Sequence, residues 1–315
     1  MIGAVDIGGT KIAVGMVDHN GKVLAKLASP TDAQNGYANG LSRMIDMLRK
    51  ASRQAGVGIS GIGIGATGMV DSRSGAFGDA DFLPGWQGHN PVEDLAREFA
   101  VKVALENDGD ASALGEAAWG AGAGKANFRL IYVTVGTGIG GGIIIDGRLY
   151  RGVDMSHPEV GHHVIDASGP QCSCGYRGCW EALATGPAMA AWFNAGAAGD
   201  SRCAEELSAA QICELARSGD PLALRAVDRE GFYLGLGVAN LINLFMPDVI
   251  VFGGSVMKSS DLFLDRIHKV IRQGCRFVPF EKAELALASL GEDANLIGAA
   301  RVWHHRFTPD ANRAS

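Results

Sequence analysis

Two glycine-rich turns, one in each half of the chain, constrain the fold most. The first is Asp6-Ile7-Gly8-Gly9-Thr10-Lys11, set between the apolar, β-branched runs 2–5 and 12–17. The second is Gly136–Gly142, set between the runs 130–135 and 143–145. Glycine accepts turn dihedrals and leaves no Cβ between the backbone and a ligand. The second turn contains a GxGxxG pattern, which in a dinucleotide-binding unit opens a helix. Here Ile143-Ile144-Ile145 and then Asp146-Gly147 follow, a strand and a hairpin signal. That order excludes the dinucleotide fold. Two Gly/Thr hairpins, one per half-chain, fit a nucleotide phosphate held from both sides. Backbone N–H groups approach the phosphate oxygens, and the Thr10 hydroxyl adds a donor. Thr137 and Gly138 are the corresponding candidates in the second turn. Asp6, at a strand end, suits a magnesium ion held directly or through water. A third pair, Gly253-Gly254, ends a strand and suits the nucleoside end. On spacing alone, the first turn also reads as an ordinary tight hairpin.

The elements around these turns repeat a plan. Runs 2–5, 12–17 and 23–27 predict three antiparallel strands, with His19-Asn20-Gly21 as a turn. Leu41, Ile45 and Leu48 recur at helical spacing and predict a helix over 37–54. Strands follow at 59–64 and 101–105, then a turn at Asn107-Asp108 and a helix over 110–119. The second round has strands at 130–135, 143–145 and 149–150. Helices follow over 181–194, 209–217 and 222–244, then a strand at 249–252, a helix ending near Cys275 and a strand at 285–288. Hairpins followed by alternating helices and strands, twice, predict an α/β protein of two similar domains with a cleft between them. The expected division is 1–119 with 296–315, and 120–295.

The chain has 315 residues, 47% of them hydrophobic and 20% charged. That supports a substantial core and argues against global disorder. A net charge of −6 without a basic run speaks against nucleic acid as a partner. No apolar stretch is long enough for a membrane span. The start, Met1-Ile2-Gly3-Ala4-Val5-Asp6, reads as a strand rather than a signal peptide, so a cytoplasmic protein is expected.

Cytoplasmic thiols stay reduced, so clustered cysteines point to a metal. Three of the six cysteines, Cys172, Cys174 and Cys179, lie in Gly169–Glu181. Zinc in a structural site takes four ligands. His157, His162 and His163 are the candidates for the fourth. Cys203, Cys213 and Cys275 are isolated and read as core or surface residues.

Taken together, "DIGGTK", "ENDGDASALGE", "TVGTGIGGG", "PEVGHH", "CSCGYRGCWE" and "VIVFGG" resemble the ROK family of sugar kinases and sugar-responsive repressors. The resemblance spans nearly the whole chain. It implies two actin-like (ribonuclease H-like) domains, ATP with Mg2+, a hexose substrate, a structural Zn2+ and a homodimer. In the family's pattern Asp108 stands where the catalytic base stands and Asn107 where a sugar ligand stands. Glu159, His162 and Glu181 match sugar contacts, and Gly65 is a further substrate-site candidate. Asp6, Gly8, Gly9, Thr10, Lys11, Thr137, Gly138, Gly253 and Gly254 fall to the nucleotide. His162 also matches the fourth zinc ligand, beside Cys172, Cys174 and Cys179. Such a zinc would fix Glu159 and Glu181 relative to each other.

Glucose is the leading substrate by resemblance, because "GCWEALATG" and "LPGW" look like the glucokinase branch. Fructose, mannose and the N-acetylhexosamines stay open. Three departures bear on the sugar. Gly109-Asp110 stands where Ala-Asn is usual, Phe82 where Asn is usual, and His157-Pro158 resembles the fructokinase branch. The family's repressors carry a DNA-binding segment ahead of this part. "DIGGT" begins at residue 6, so the expectation is a kinase and not a repressor.

Overall fold

The computed structural model describes all residues except 80–81, 126, 198–205 and 309–315; Cys203 and the end of the expected 296–315 segment lie outside them. Two five-stranded sheets organise the chain. The first contains β1 (Ile2–Ile7), β2 (Lys11–Val17), β3 (Val23–Pro30), β4 (Gly61–Ala66) and β7 (Val103–Asn107), in the order β3-β2-β1-β4-β7. β1, β2 and β3 are antiparallel, as the runs predict, and β4 and β7 continue parallel to β1. β5 (Val70–Asp71) and β6 (Ala76–Phe77) form a separate small hairpin. The second sheet contains β8 (Leu130–Val135), β9 (Ile139–Ile145), β10 (Arg148–Leu149), β11 (Val249–Gly253) and β12 (Glu284–Leu287), in the order β10-β9-β8-β11-β12.

The described residues form two compact units. The first comprises Met1–Phe128, Gly142–Pro158 and Ala288–Ser315, and the second comprises Arg129–Gly141 and Glu159–Leu287. In the first unit, alternation along β1 and β2 sends side chains to two faces. Val5, Ile7, Ile12, Val14 and Met16 pack with Met44 and Leu48 of α1 (Tyr37–Ala55). Ile2, Ala4 and Ala13 pack with Leu296, Ala299 and Ala300 of α9 (Ala294–Phe307). The sequence Gly61-Ile62-Gly63-Ile64 follows the same rule: a Cβ at Gly63 would lie 1.9 Å from the Ala299 carbonyl oxygen, so only glycine admits α9 there.

Several boundaries differ from the sequence expectation. α2 (Pro91–Phe99) was not expected, although its start is legible: Asn90 accepts the Glu93 N–H at 3.0 Å and Pro91 opens the helix. α3 spans Asp108–Trp119, so its first turn begins at the residue read as a turn. The expected helix over 181–194 is two, α4 (Trp180–Leu183) and α5 (Gly186–Gly196). The break falls at Thr185, whose hydroxyl caps α5 by accepting the Ala188 N–H. Gly140–Gly142 lie in β9 rather than in the turn. α6 (Ala209–Arg217), α7 (Pro221–Phe245) and α8 (Leu264–Gly274) follow the apolar periodicity closely. No described helix is long and apolar enough to cross a membrane.

Candidate active site

In the first unit, the corner between β7 and α3 carries the expected base. Asn107 is the helix N-cap: its Oδ1 accepts the Gly109 N–H at 2.8 Å and its Nδ2 donates to the Gly68 carbonyl at 3.3 Å. An Asx cap of this kind turns an extended chain into a helix in one residue. Asp108 follows, half-buried, and its Oδ1 also accepts the Gly109 N–H at 2.8 Å. It is the first residue of α3. Gly65 lies beneath; a Cβ there would stand 3.2 Å from the Ala111 Cβ and 3.8 Å from the Asp108 Cα.

Asp6, the penultimate residue of β1, lies close to this corner and is buried. Burial pushes its carboxyl up to about 6; the Asn295 amide, which donates to Oδ2 at 3.2 Å, opposes this, while the charge of Asp108 adds to it. The turn after it closes on the Gly8 N–H, which donates to the Lys11 carbonyl at 2.9 Å. Thr31 locks the turn from outside. Its hydroxyl donates to the Gly8 carbonyl at 2.6 Å, and its N–H to the Thr10 carbonyl at 2.9 Å. Phe82 is exposed and covers Gly9, where a Cβ would come within 2.9 Å of the Phe82 Cβ. Lys11 is exposed at the start of β2.

Glu106 and Asp110 flank the corner. Burial pushes Asp110 up to about 7 and raises Glu106 as well. In both, the Arg151 guanidinium opposes the rise.

In the second unit, the Gly136-Thr137-Gly138 turn joins β8 to β9. Thr137 is exposed, and the Gly136 N–H donates to the Gly138 carbonyl at 2.9 Å. The turn borders a cavity of about 620 Å³, whose other walls include Gly186, Pro187, Ser255 and Val256. Gly253 ends β11 and Gly254 turns the chain toward Ser255; neither is among the cavity's lining residues. Glu181, in α4, accepts the Ile139 N–H at 2.9 Å. A Cβ at Gly138 would stand 2.6 Å from the same Oε2, so the carboxylate reaches the turn because that residue is glycine.

Just before α4 in sequence lies the cysteine loop. His162, Cys172, Cys174 and Cys179 bring one ligand atom each to within 4.8 Å of one another. Cys172 Sγ is 3.6 Å from His162 Nδ1, and the sulfurs of Cys174 and Cys179 are 3.5 Å apart. Zinc–sulfur bonds of about 2.3 Å in a tetrahedron separate two sulfurs by roughly 3.8 Å. A Cys3His donor set at this spacing is compatible with zinc. His163 turns aside, its Nδ1 2.6 Å from the Val160 carbonyl and its ring beside Trp180. His157 is not part of the cluster either. Glu159 is exposed, three residues before His162.

The ROK family profile matches residues 2–306. The chain belongs to the ROK family. A glucokinase of Thermotoga maritima is 32% identical over 314 residues, which cover 96% of this chain and 97% of that protein. The solved structure of a ROK family glucokinase from Streptomyces griseus, in complex with glucose and AMPPNP, is 32% identical with a TM-score of 0.79, covering 95% of this chain and 97% of its own. The xylose repressor of Bacillus subtilis is 33% identical over 269 residues, covering 84% of this chain and 67% of that protein. With its two mixed sheets, the chain has the actin-like α/β fold of the ROK kinases.

Within this ROK fold, sequence reasoning missed three residues that hold the site: Thr31, Asn295 and Arg151. None sits in a glycine turn or beside Asp108 in sequence. The one available signal for Arg151 was the unusual acid at Asp110, which needs a buried counter-charge.

Proposed function

We propose that this ROK protein is a sugar kinase that transfers the γ-phosphoryl group of ATP to a hexose hydroxyl, with glucose the leading substrate. The observation that carries the reading is Asp108, a half-buried carboxylate at the head of α3 beside the Asp6 turn, in a chain similar to glucokinases over nearly its whole length. Asp108 takes the proton of the attacking hydroxyl. The hydroxyl oxygen bonds to the γ-phosphorus as the bond from that phosphorus to the ADP oxygen breaks. The backbone N–H groups of the Gly8–Thr10 and Gly136–Gly138 turns hold phosphate oxygens, and the cavity lined by Ser255 and Val256 takes the nucleoside.

Asn107, Glu159, His162 and Glu181 bind and orient the sugar. Asp6 would hold Mg2+, directly or through water, and the ion would supply charge that offsets the phosphates. His162, Cys172, Cys174 and Cys179 would hold Zn2+ as a structural ion. Glu159 and Glu181 adjoin its ligands in sequence, so the loop would set both glutamates at once.

A panel of glucose, fructose, mannose, N-acetylglucosamine and N-acetylmannosamine in a coupled ADP-release assay tests the reading. Hexose-dependent ADP release is expected, fastest with glucose. Asp108→Asn should lower kcat by about 10²–10⁴-fold while sugar binding stays measurable. The likeness to a xylose repressor favours a second reading, a sugar sensor without turnover. Sugar binding with no ADP release from any member of the panel would select it.

A further inference from the structure

Arg151 stands in the stretch after β10, more than forty residues from Asp108 in sequence, yet its guanidinium is nearly buried at the β7–α3 corner. Its Nη2 lies 2.5 Å from Glu106 Oε2, and its Nη1 lies 2.8 Å from Asp110 Oδ2. Glu106 is the penultimate residue of β7, and Asp110 is in the first turn of α3. One planar fork therefore grips both arms of a bend whose apex is Asn107-Asp108. Close contact is built in from the same segment: a Cβ at Gly142 would lie 2.8 Å from Asp110 Oδ1 and from the Ala113 Cβ. All of these residues belong to the first unit.

We propose that Arg151 is a positioning residue for Asp108, acting through Glu106 and Asp110. The inference rests on the kinase reading. Strand end and helix start are separate elements, and the angle between them sets where the Asp108 carboxylate points. Asn107 fixes that angle with two hydrogen bonds of its own. The guanidinium adds a second, charged tie across the corner, and its two N–H arms match two carboxylates in a way a single ammonium does not. Asp110 is what makes the tie two-sided, because without it Arg151 would hold only the strand.

Arg151→Lys is the variant of choice, because it keeps one positive charge beside two buried acids and loses the fork. Removing the charge altogether would leave those carboxylates unpaired and unfold the corner. Arg151→Lys should lower kcat by about 10²-fold, with KM for sugar and for ATP close to wild type and the thermal midpoint nearly unchanged. Asp110→Asn, which keeps a side chain of the same shape with a polar atom facing Nη1, should keep most of the wild-type kcat. Asp110→Ala should fall with Arg151→Lys. Wild-type kcat in Arg151→Lys, measured beside an inactive Asp108→Asn, overturns the positioning role and leaves the kinase reading standing. So does a loss shared equally by KM and thermal midpoint, or by Asp110→Asn and Asp110→Ala alike. Wild-type kcat in Asp108→Asn overturns both readings together.

Discussion

The two glycine turns are made of the same residue types and are held in opposite ways. The Gly8–Thr10 turn is locked by a neutral residue, Thr31, whose hydroxyl and N–H engage the Gly8 and Thr10 carbonyls. The Gly136–Gly138 turn is approached by a carboxylate, Glu181, which accepts the Ile139 N–H. It is also tied by the Gly186 N–H, which donates to the Gly136 carbonyl at 3.0 Å. Thr31 directly follows β3, a strand of the same sheet, so the first lock is part of the fold. Glu181 comes two residues after Cys179, so the second lock hangs from the cysteine loop. Similar turns thus acquire different dependencies: the first on core packing, the second on whatever orders the thiols.

The largest test of this contrast is to remove one of the proposed metal ligands. Cys174→Ser should lose zinc and activity together, and amide exchange should rise at Ile139 while staying low at Gly8. An active, metal-free variant would break the contrast at its root.

Next in size is the pH effect of Glu230 in the second unit, which adds to those of Asp6 and Asp110 in the first. Glu230 on α7 is fully buried, without a hydrogen-bond partner among the described residues, and burial pushes it up to about 8. An unfolded glutamate releases its proton near 4.5. The folded state therefore holds the extra proton between those values, and stability falls as pH rises through that window, by at most about 1.4 kcal/mol per unit. Glu230→Gln should flatten that part of the thermal-stability profile; an unchanged profile would show that the proton is not held there.

Glu181→Gln keeps an acceptor and removes the charge from the second lock. A charge-assisted hydrogen bond contributes about 1.5–3 kcal/mol. Nucleotide affinity by titration calorimetry should weaken accordingly, and unchanged affinity would mean that the carboxylate does not shape the turn. Thr31→Val should have the smallest effect, a stability loss of about 1 kcal/mol in urea unfolding. A larger loss of nucleotide affinity in Thr31→Val than in Glu181→Gln would reverse the ranking of the two locks.

Much of this site was legible before the fold. Asp6, Gly8–Thr10 and Asn107-Asp108 stand at strand ends because β-branched runs stop there. The cysteines declared a donor set; spacing left three candidate histidines, and the family resemblance singled out His162, which the structure brings to the cluster. What stayed hidden were contacts set by distance in space. The expected 181–194 helix splits at the Thr185 cap, a local signal that competes with the apolar periodicity running across it. Thr31, Asn295 and Arg151 had no local signal at all.

Local chemistry is written in neighbouring residues, and here it determined most strands though not the β5–β6 hairpin, most helices, both turns and the thiol cluster. Whether a polar side chain is buried, and against what, depends on chain segments far apart in sequence. Only the tertiary structure could decide that Arg151 closes on Glu106 and Asp110, and that Thr31 and Glu181 hold different turns. The reason is physical: hydrogen bonds and ion pairs act over about 3 Å, and only packing brings distant residues that close.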